Sequence, residues 1–189
     1  MTMSASWVVY ACLGLGLASA LVGGVFQSFS DFVMRGLLLA DPAGGMESMQ
    51  QLNRTVYRSA FLATFMALVP ATISFAAYAF FRLSGPGRGF VIAAAVIYVL
   101  LVFVVTAAGN VPMNEHLDGL ASTSAEGQSY WITYGRVWTW WNHARTLGSV
   151  FTAVCFLLAA VSFAAPAPSG GSEDVADAAP AGAFRKGAA

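Results

Sequence analysis

The chain alternates between long uncharged apolar stretches and short clusters in which its polar side chains are gathered. Residues 7–26, 59–81, 89–108 and 146–165 contain no Asp, Glu, Lys or Arg. Each is close to the roughly 20 residues that a helix needs to cross a hydrocarbon layer about 30 Å thick. The pattern predicts an all-α, four-transmembrane-helix bundle, because an open sheet edge cannot satisfy its backbone groups in lipid.

The segments between the spans refine that picture. Phe26, Phe29, Phe32, Val33 and Leu37 recur at helical spacing, so the first helix is expected to run on past the bilayer, with Asp31 and Arg35 four apart and able to pair. Asp41, Pro42, Gly44 and Gly45 read as a turn. Residues 46–58 follow as an interfacial helix that places Met46, Met49, Asn53, Val56 and Tyr57 on one stripe. Pro70 is expected to kink the second span. Residues 83–88 form a short turn, making spans two and three a hairpin. Pro112 is expected to break the third helix at Gly109 and Asn110. Residues 119–127 read as a loop, and residues 129–165 as one long helix, aromatic first and spanning afterwards. Residues 166–189, rich in Ala, Gly and Pro, have too little apolar area to fold and are expected to be a disordered tail, leaving residues 1–165 as the membrane domain.

Composition agrees. The 189 residues are 58% hydrophobic and 10% charged, with a mean hydropathy of +0.68, where soluble domains carry about 25% charged residues. A net charge of zero with scattered Lys and Arg excludes a nucleic-acid footprint. Cys12 and Cys155 lie in apolar runs and read as small buried hydrophobes. The first span reads as an uncleaved helix rather than a signal peptide, because no basic segment precedes it. Arg82 and Arg88 beside the short turn, with Arg185 and Lys186, favour cytoplasmic termini, and the expected setting is a bacterial inner membrane.

Two segments concentrate the chemistry. Residues 110–116 and 131–145 hold both histidines and four of the five tryptophans. At about 100° per residue, Trp131, Tyr134, Trp138, Asn142, Arg145 and Ser149 fall along one line of the fourth helix, with His143 about 140° away. A guanidinium at the head of a span is costly unless it is paired or faces a cavity. The plainer reading makes the tryptophans an interfacial belt and lets Arg145 reach lipid headgroups. Asn110 and Asn114 are suited to donate to a carbonyl or oxyanion without the desolvation cost of a charge, or to cap helix ends. No pair of metal ligands has a recognised helical spacing.

These motifs carry a resemblance. Gly24 and Phe26 end the first span, Met49, Gln50, Leu52 and Asn53 form a second motif, Asn110-x-Pro112-x-Asn114 a third, and Trp141-Asn142-x-x-Arg145 a fourth. Together they resemble the anthrone-oxygenase-like family of small membrane proteins, over residues 7–165. Phe32, Val33 and Met34 are similar too, although Arg35 stands where the family pattern has proline. Members with a known role are similar to fungal polyketide-pathway enzymes that oxidise an anthrone to an anthraquinone with molecular oxygen. The resemblance implies a base, oxyanion donors and an aromatic pocket, with no metal or flavin cofactor required. Carried onto this chain, it makes His116 the base and Asn114, Asn142 and Arg145 the donors. Trp138, Tyr134 and Tyr57 become walls, and Asn110, Asn53 and Trp141 complete the expected binding set. The expected partners are the membrane and a hydrophobic small molecule, anthrone- or quinone-like, or a lipid. The competing reading is a non-catalytic protein that binds lipid or quinone, or that assembles as a homo-oligomer or as a subunit of a membrane complex.

Overall fold

A computed structural model describes residues 3–165, with side chains described from Ser6 onward. The segment expected to be a disordered tail lies outside the described residues. Four long helices dominate: α1 (Met3–Ser28) continues through a π turn (Phe29–Val33) into α2 (Met34–Leu39); α4 (Ala60–Arg82) follows the shorter α3 (Pro42–Thr55); α5 (Pro86–Ile97) continues through π turns (Tyr98–Val104 and Thr106–Asn110) into α6 (Val111–Asp118); and α7 (Ala125–Ala164) closes the bundle. Four helical stretches, Ser6–Leu39, Ala60–Arg82, Pro86–Asp118 and Ala125–Ala164, are long and apolar enough to cross a membrane. The chain is a multi-pass membrane protein.

Helix starts and stops follow local chemistry. Asp41 caps α3 by accepting from Gly44 N, with Pro42 at the first helical position; Ser59 caps α4 through Leu62 N, and Ser124 caps α7 through Gly127 N. The cap at Ser124 starts α7 four residues earlier than the composition of that loop suggests. Pro70 sits inside α4, and Thr72 Oγ1 donates to the nearby Val69 carbonyl.

Two expectations are corrected. The third helix does not break at Asn110: Asn110 and Val111 keep right-handed helical angles, and Val111 N–H reaches back five residues to Thr106 O. A π register widens the turn just where Pro112 lacks an amide and would crowd the carbonyl four residues back, so the proline is accommodated without ending the helix. Asp31 and Arg35 are both exposed and form no ion pair; among the described residues the ion pair is Arg54 with Asp118, at 2.7 Å.

At 1.5 Å per residue the 40-residue α7 is about 60 Å long, roughly twice the hydrocarbon thickness. Its second half packs in the bundle while its first half stands clear of it, roofed by α2, α3 and α6. The core is accordingly layered. At the far end Val8, Cys12, Phe75, Val91, Ala94, Phe156 and Ala159 are buried together. A middle layer holds Val22, Phe26, Phe65, Leu68, Tyr98 and Val102, with Tyr98 Oη donating to Phe65 O at 2.9 Å. The head layer holds Met34, Met46, Met49, Leu117, Trp131, Tyr134 and Trp138. Helices associate in lipid by close packing of small residues. Gly23 shows it: a Cβ there would stand 3.0 Å from Ser149 Cβ on α7.

Candidate functional site

Between the head layer and the bundle lies a cavity of about 210 Å³. Phe26 and Phe29 line it from the first helix, Asn53, Arg54 and Tyr57 from the end of α3 and the turn after it, and Phe61 and Phe65 from α4. Asn114, Glu115 and Asp118 line it from α6, and Trp138, Asn142 and Arg145 from α7. The wall is mainly aromatic and aliphatic, with a few polar groups converging on it, the usual make-up of a small-molecule site.

Arg145 is the centre of the arrangement. Its residue is only 6% exposed, and its guanidinium carbon lies 4.3 Å from the Phe26 ring centroid and 5.1 Å from that of Trp138. Two aromatic faces thus attract the cation, but no carboxylate among the described residues pairs with it. Nη2 donates to Asn142 Oδ1 at 2.5 Å, and Nε has no partner.

Asn142 holds that guanidinium in place. Its Nδ2 donates to the Phe26 carbonyl and to Ser30 Oγ, both at 2.5 Å. The Phe26 carbonyl borders the π turn of the first helix, where Met34 N–H reaches back five residues to Phe29 O. Such turns loosen the backbone ladder and recur at functional sites. Here the amide of a distant helix enters beside one. Both amide hydrogens of Asn142 are therefore spent. The amide expected to donate to a substrate oxygen is instead engaged with Phe26 and Ser30 through Nδ2 and with Arg145 through Oδ1.

Asn114 has the opposite balance. Its Oδ1 accepts from Tyr134 Oη and from Trp138 Nε1, each at 2.8 Å, which fixes the amide and leaves Nδ2 available toward the cavity. Asn53 lies beside the Tyr134 hydroxyl without meeting it in hydrogen-bond geometry, and its buried Nδ2 has no partner. Tyr57 is 70% exposed at the rim.

The remaining expected site residues lie elsewhere. His116 is exposed and packs edge-on to Tyr130, with centroids 4.4 Å apart. It does not line the cavity, because it follows Glu115 on a helix whose cavity face carries Asn114, Glu115 and Asp118. Asn110 is fully buried and donates to Trp138 O at 3.2 Å without capping a helix. Tyr134 stands behind Asn114 rather than in the cavity wall. Trp141 is 42% exposed and covers Gly109, where a Cβ would meet its ring at 2.7 Å. Ser30 and Glu115 are site residues that sequence reasoning gave no place in the site, and Phe26 entered it only as part of the motif that ends the first span. Glu115 stood beside a more conspicuous histidine.

The roof is held by Gln50, whose Nε2 donates to Leu117 O and Leu120 O at 2.8 and 2.9 Å, by Ser122 Oγ donating to Glu47, and by the Arg54 and Asp118 pair. No group of three or more His, Cys, Asp and Glu side chains stands together as a metal site among the described residues.

The fold and the cavity define a class: a four-helix membrane protein with an aromatic pocket built around a buried arginine that has no ion pair among the described residues. A family model described as anthrone oxygenase matches residues 54–155, more than half of the chain, and the chain belongs to that family. The matched stretch contains Asn114, Asn142 and Arg145. Comparisons with curated proteins and with solved structures return no match.

Proposed function

We propose that the protein is an oxygenase that oxidises a hydrophobic aromatic molecule of the anthrone type with molecular oxygen in this cavity. The observation that carries the reading is the buried Arg145, near the Phe26 and Trp138 rings and without an ion pair among the described residues, in a chain of the anthrone oxygenase family. Removing a proton from the ring CH2 that is conjugated with the carbonyl across the ring leaves a carbanion whose charge is delocalised onto oxygen. A buried cation and a fixed amide donor stabilise that charge most where water is excluded. Arg145 and Asn114 supply those two interactions, and Asn142 fixes the first of them.

The proton acceptor in this reading is Glu115, which lines the cavity and makes no ion pair among the described residues, whereas Asp118 is engaged with Arg54. The delocalised carbanion adds oxygen at carbon to give a peroxide. Loss of the remaining proton on that carbon and cleavage of the oxygen–oxygen bond then give the ketone, so that a CH2 group and O2 become a C=O group and water.

The test is oxygen uptake and quinone formation by purified protein in lipid nanodiscs with a panel of anthrones. Turnover that Arg145→Gln and Asn114→Ala remove, in variants that remain folded, is the expected result. A folded wild-type protein that turns over none of the panel overturns the reading in favour of a non-catalytic binder.

A further inference from the structure

The buried polar atoms of the cavity wall that lack partners among the described residues are donors, whereas the Glu115 carboxylate, which also lines the cavity, belongs to an exposed residue. Arg145 Nε and Asn53 Nδ2 are buried donors without partners, and Asn114 Nδ2 is a third donor, its own oxygen being occupied twice. The guanidinium carbon lies 4.3 and 5.1 Å from the Phe26 and Trp138 ring centroids and its Nη2 is held by Asn142, while Nε has no partner among the described residues. A desolvated cation without a counter-ion is costly, and an anion brought to it recovers the interaction. The surroundings choose among anions. Phe26, Phe61, Phe65 and Trp138 offer ring surface in place of polar groups, which suits an oxygen anion carried on a flat aromatic body and penalises a small, strongly hydrated ion such as phosphate.

We propose that the cavity is a site for aromatic oxyanions: it binds a phenol or enol in its ionised form, with the oxygen on Arg145 and Asn114 and the ring against the Phe26 and Trp138 side of the wall. The inference deepens the oxygenase reading by naming the ligand's ionisation state and class, and it is tested without turnover.

The probe is a monohydroxyanthraquinone, whose phenol and phenolate absorb at different wavelengths, titrated against the protein in nanodiscs with protein-free discs as baseline. Its methyl ether, of similar shape but unable to ionise, is the control. An opposite charge a few ångströms away favours the ionised form by about tenfold or more. The wild-type protein is therefore expected to raise the phenolate fraction of the bound probe at least about tenfold over the discs, and to bind the ether at least about tenfold more weakly. Arg145→Gln is expected to return the spectrum to that of the discs, and Arg145→Lys to keep part of the effect. Binding of the neutral phenol with the affinity of its ether overturns the inference, and that comparison needs only wild-type protein. Phenolate binding that inorganic phosphate displaces at equal concentration overturns the aromatic part. A protein that binds phenolate but consumes no oxygen sinks the oxygenase reading alone, whereas turnover with a neutral bound probe sinks this one alone.

Discussion

The two ends of the bundle are built from the same helices on opposite principles. At the far end, around Cys12, Ala79, Ala94 and Ala159, the helices keep regular α geometry and the buried side chains are apolar and mostly small. At the head end, two helices pass through π turns beside the cavity, and Asn53, Asn110 and Arg145 keep buried polar atoms without partners. One end follows the rule that buried polar groups are satisfied, and the other departs from it several times within a few turns. Such departures cost stability and persist where something else depends on them. On the proposed reading the far end is scaffold, and the head end holds polar groups in reserve for a ligand.

The sharpest way to break this comparison is Arg145→Gln. Loss of one charge-stabilising donor costs about 10² to 10³ in turnover in enzymes where it has been removed, and kcat here is expected to fall by at least about that factor. Stability should hold or rise, because an unpaired buried charge is removed. Steady-state oxygen uptake and thermal unfolding of the same sample read both quantities. Unchanged turnover would remove Arg145 from the chemistry. Glu115→Gln comes next: loss of a general base is expected to lower kcat about 10² fold and to leave binding of the hydroxyanthraquinone in place, and His116→Gln is expected to change kcat by less than about twofold, the side chain lying outside the cavity.

The four spans were legible because charge-free runs near 20 residues leave a chain no other solution in lipid. The stripe from Trp131 to Arg145 was legible because α7 is a single uninterrupted helix, on which spacing along the chain is spacing around the axis. The π turns were not. Pro112 reads as a break from local rules alone, and only the widened turn before it, packed against α7, lets the helix continue. Nor could spacing show that Asn142 spends its donors on Phe26 and Ser30, more than a hundred residues earlier. Polar residue types marked the neighbourhood of the site; which atom is engaged and which is free depends on contacts between distant segments.

Asn142→Ala tests the link between the two helices. It frees the guanidinium and leaves the Phe26 carbonyl without the side-chain donor, so unfolding is expected at lower temperature, by about 1–3 kcal/mol of stability. Turnover should fall about tenfold through a misplaced Arg145. A positioning role also predicts that the phenolate signal of the bound hydroxyanthraquinone weakens without vanishing. Ala94→Leu asks the same of the scaffold end. Ala94 is fully buried among Val91, Phe156 and Ala159, and overpacking there is expected to cost about 1–3 kcal/mol while turnover per folded molecule stays at the wild-type value. Lost turnover in a folded Ala94→Leu protein would dissolve the division between the ends.

The smallest effect is expected at the rim. Arg54 and Asp118 meet at 2.7 Å between α3 and α6, but their side chains are 51% and 41% exposed. Exposed pairs of this kind contribute about 0–1 kcal/mol and are screened by salt. Gln50 on α3 makes a pair of less exposed hydrogen bonds, to Leu117 O on α6 and to Leu120 O in the turn that follows it. Arg54→Ala should therefore shift stability by less than about 1 kcal/mol, and Gln50→Leu by more, since it strips both carbonyls of their side-chain donor. If the pair acts only as a rim contact, KM in Arg54→Ala should change less than about twofold and lose any dependence on ionic strength. A larger rise in KM that salt reproduces in the wild type would make the ion pair the latch of the roof, and would extend the functional half of the molecule from the buried arginine out to its surface.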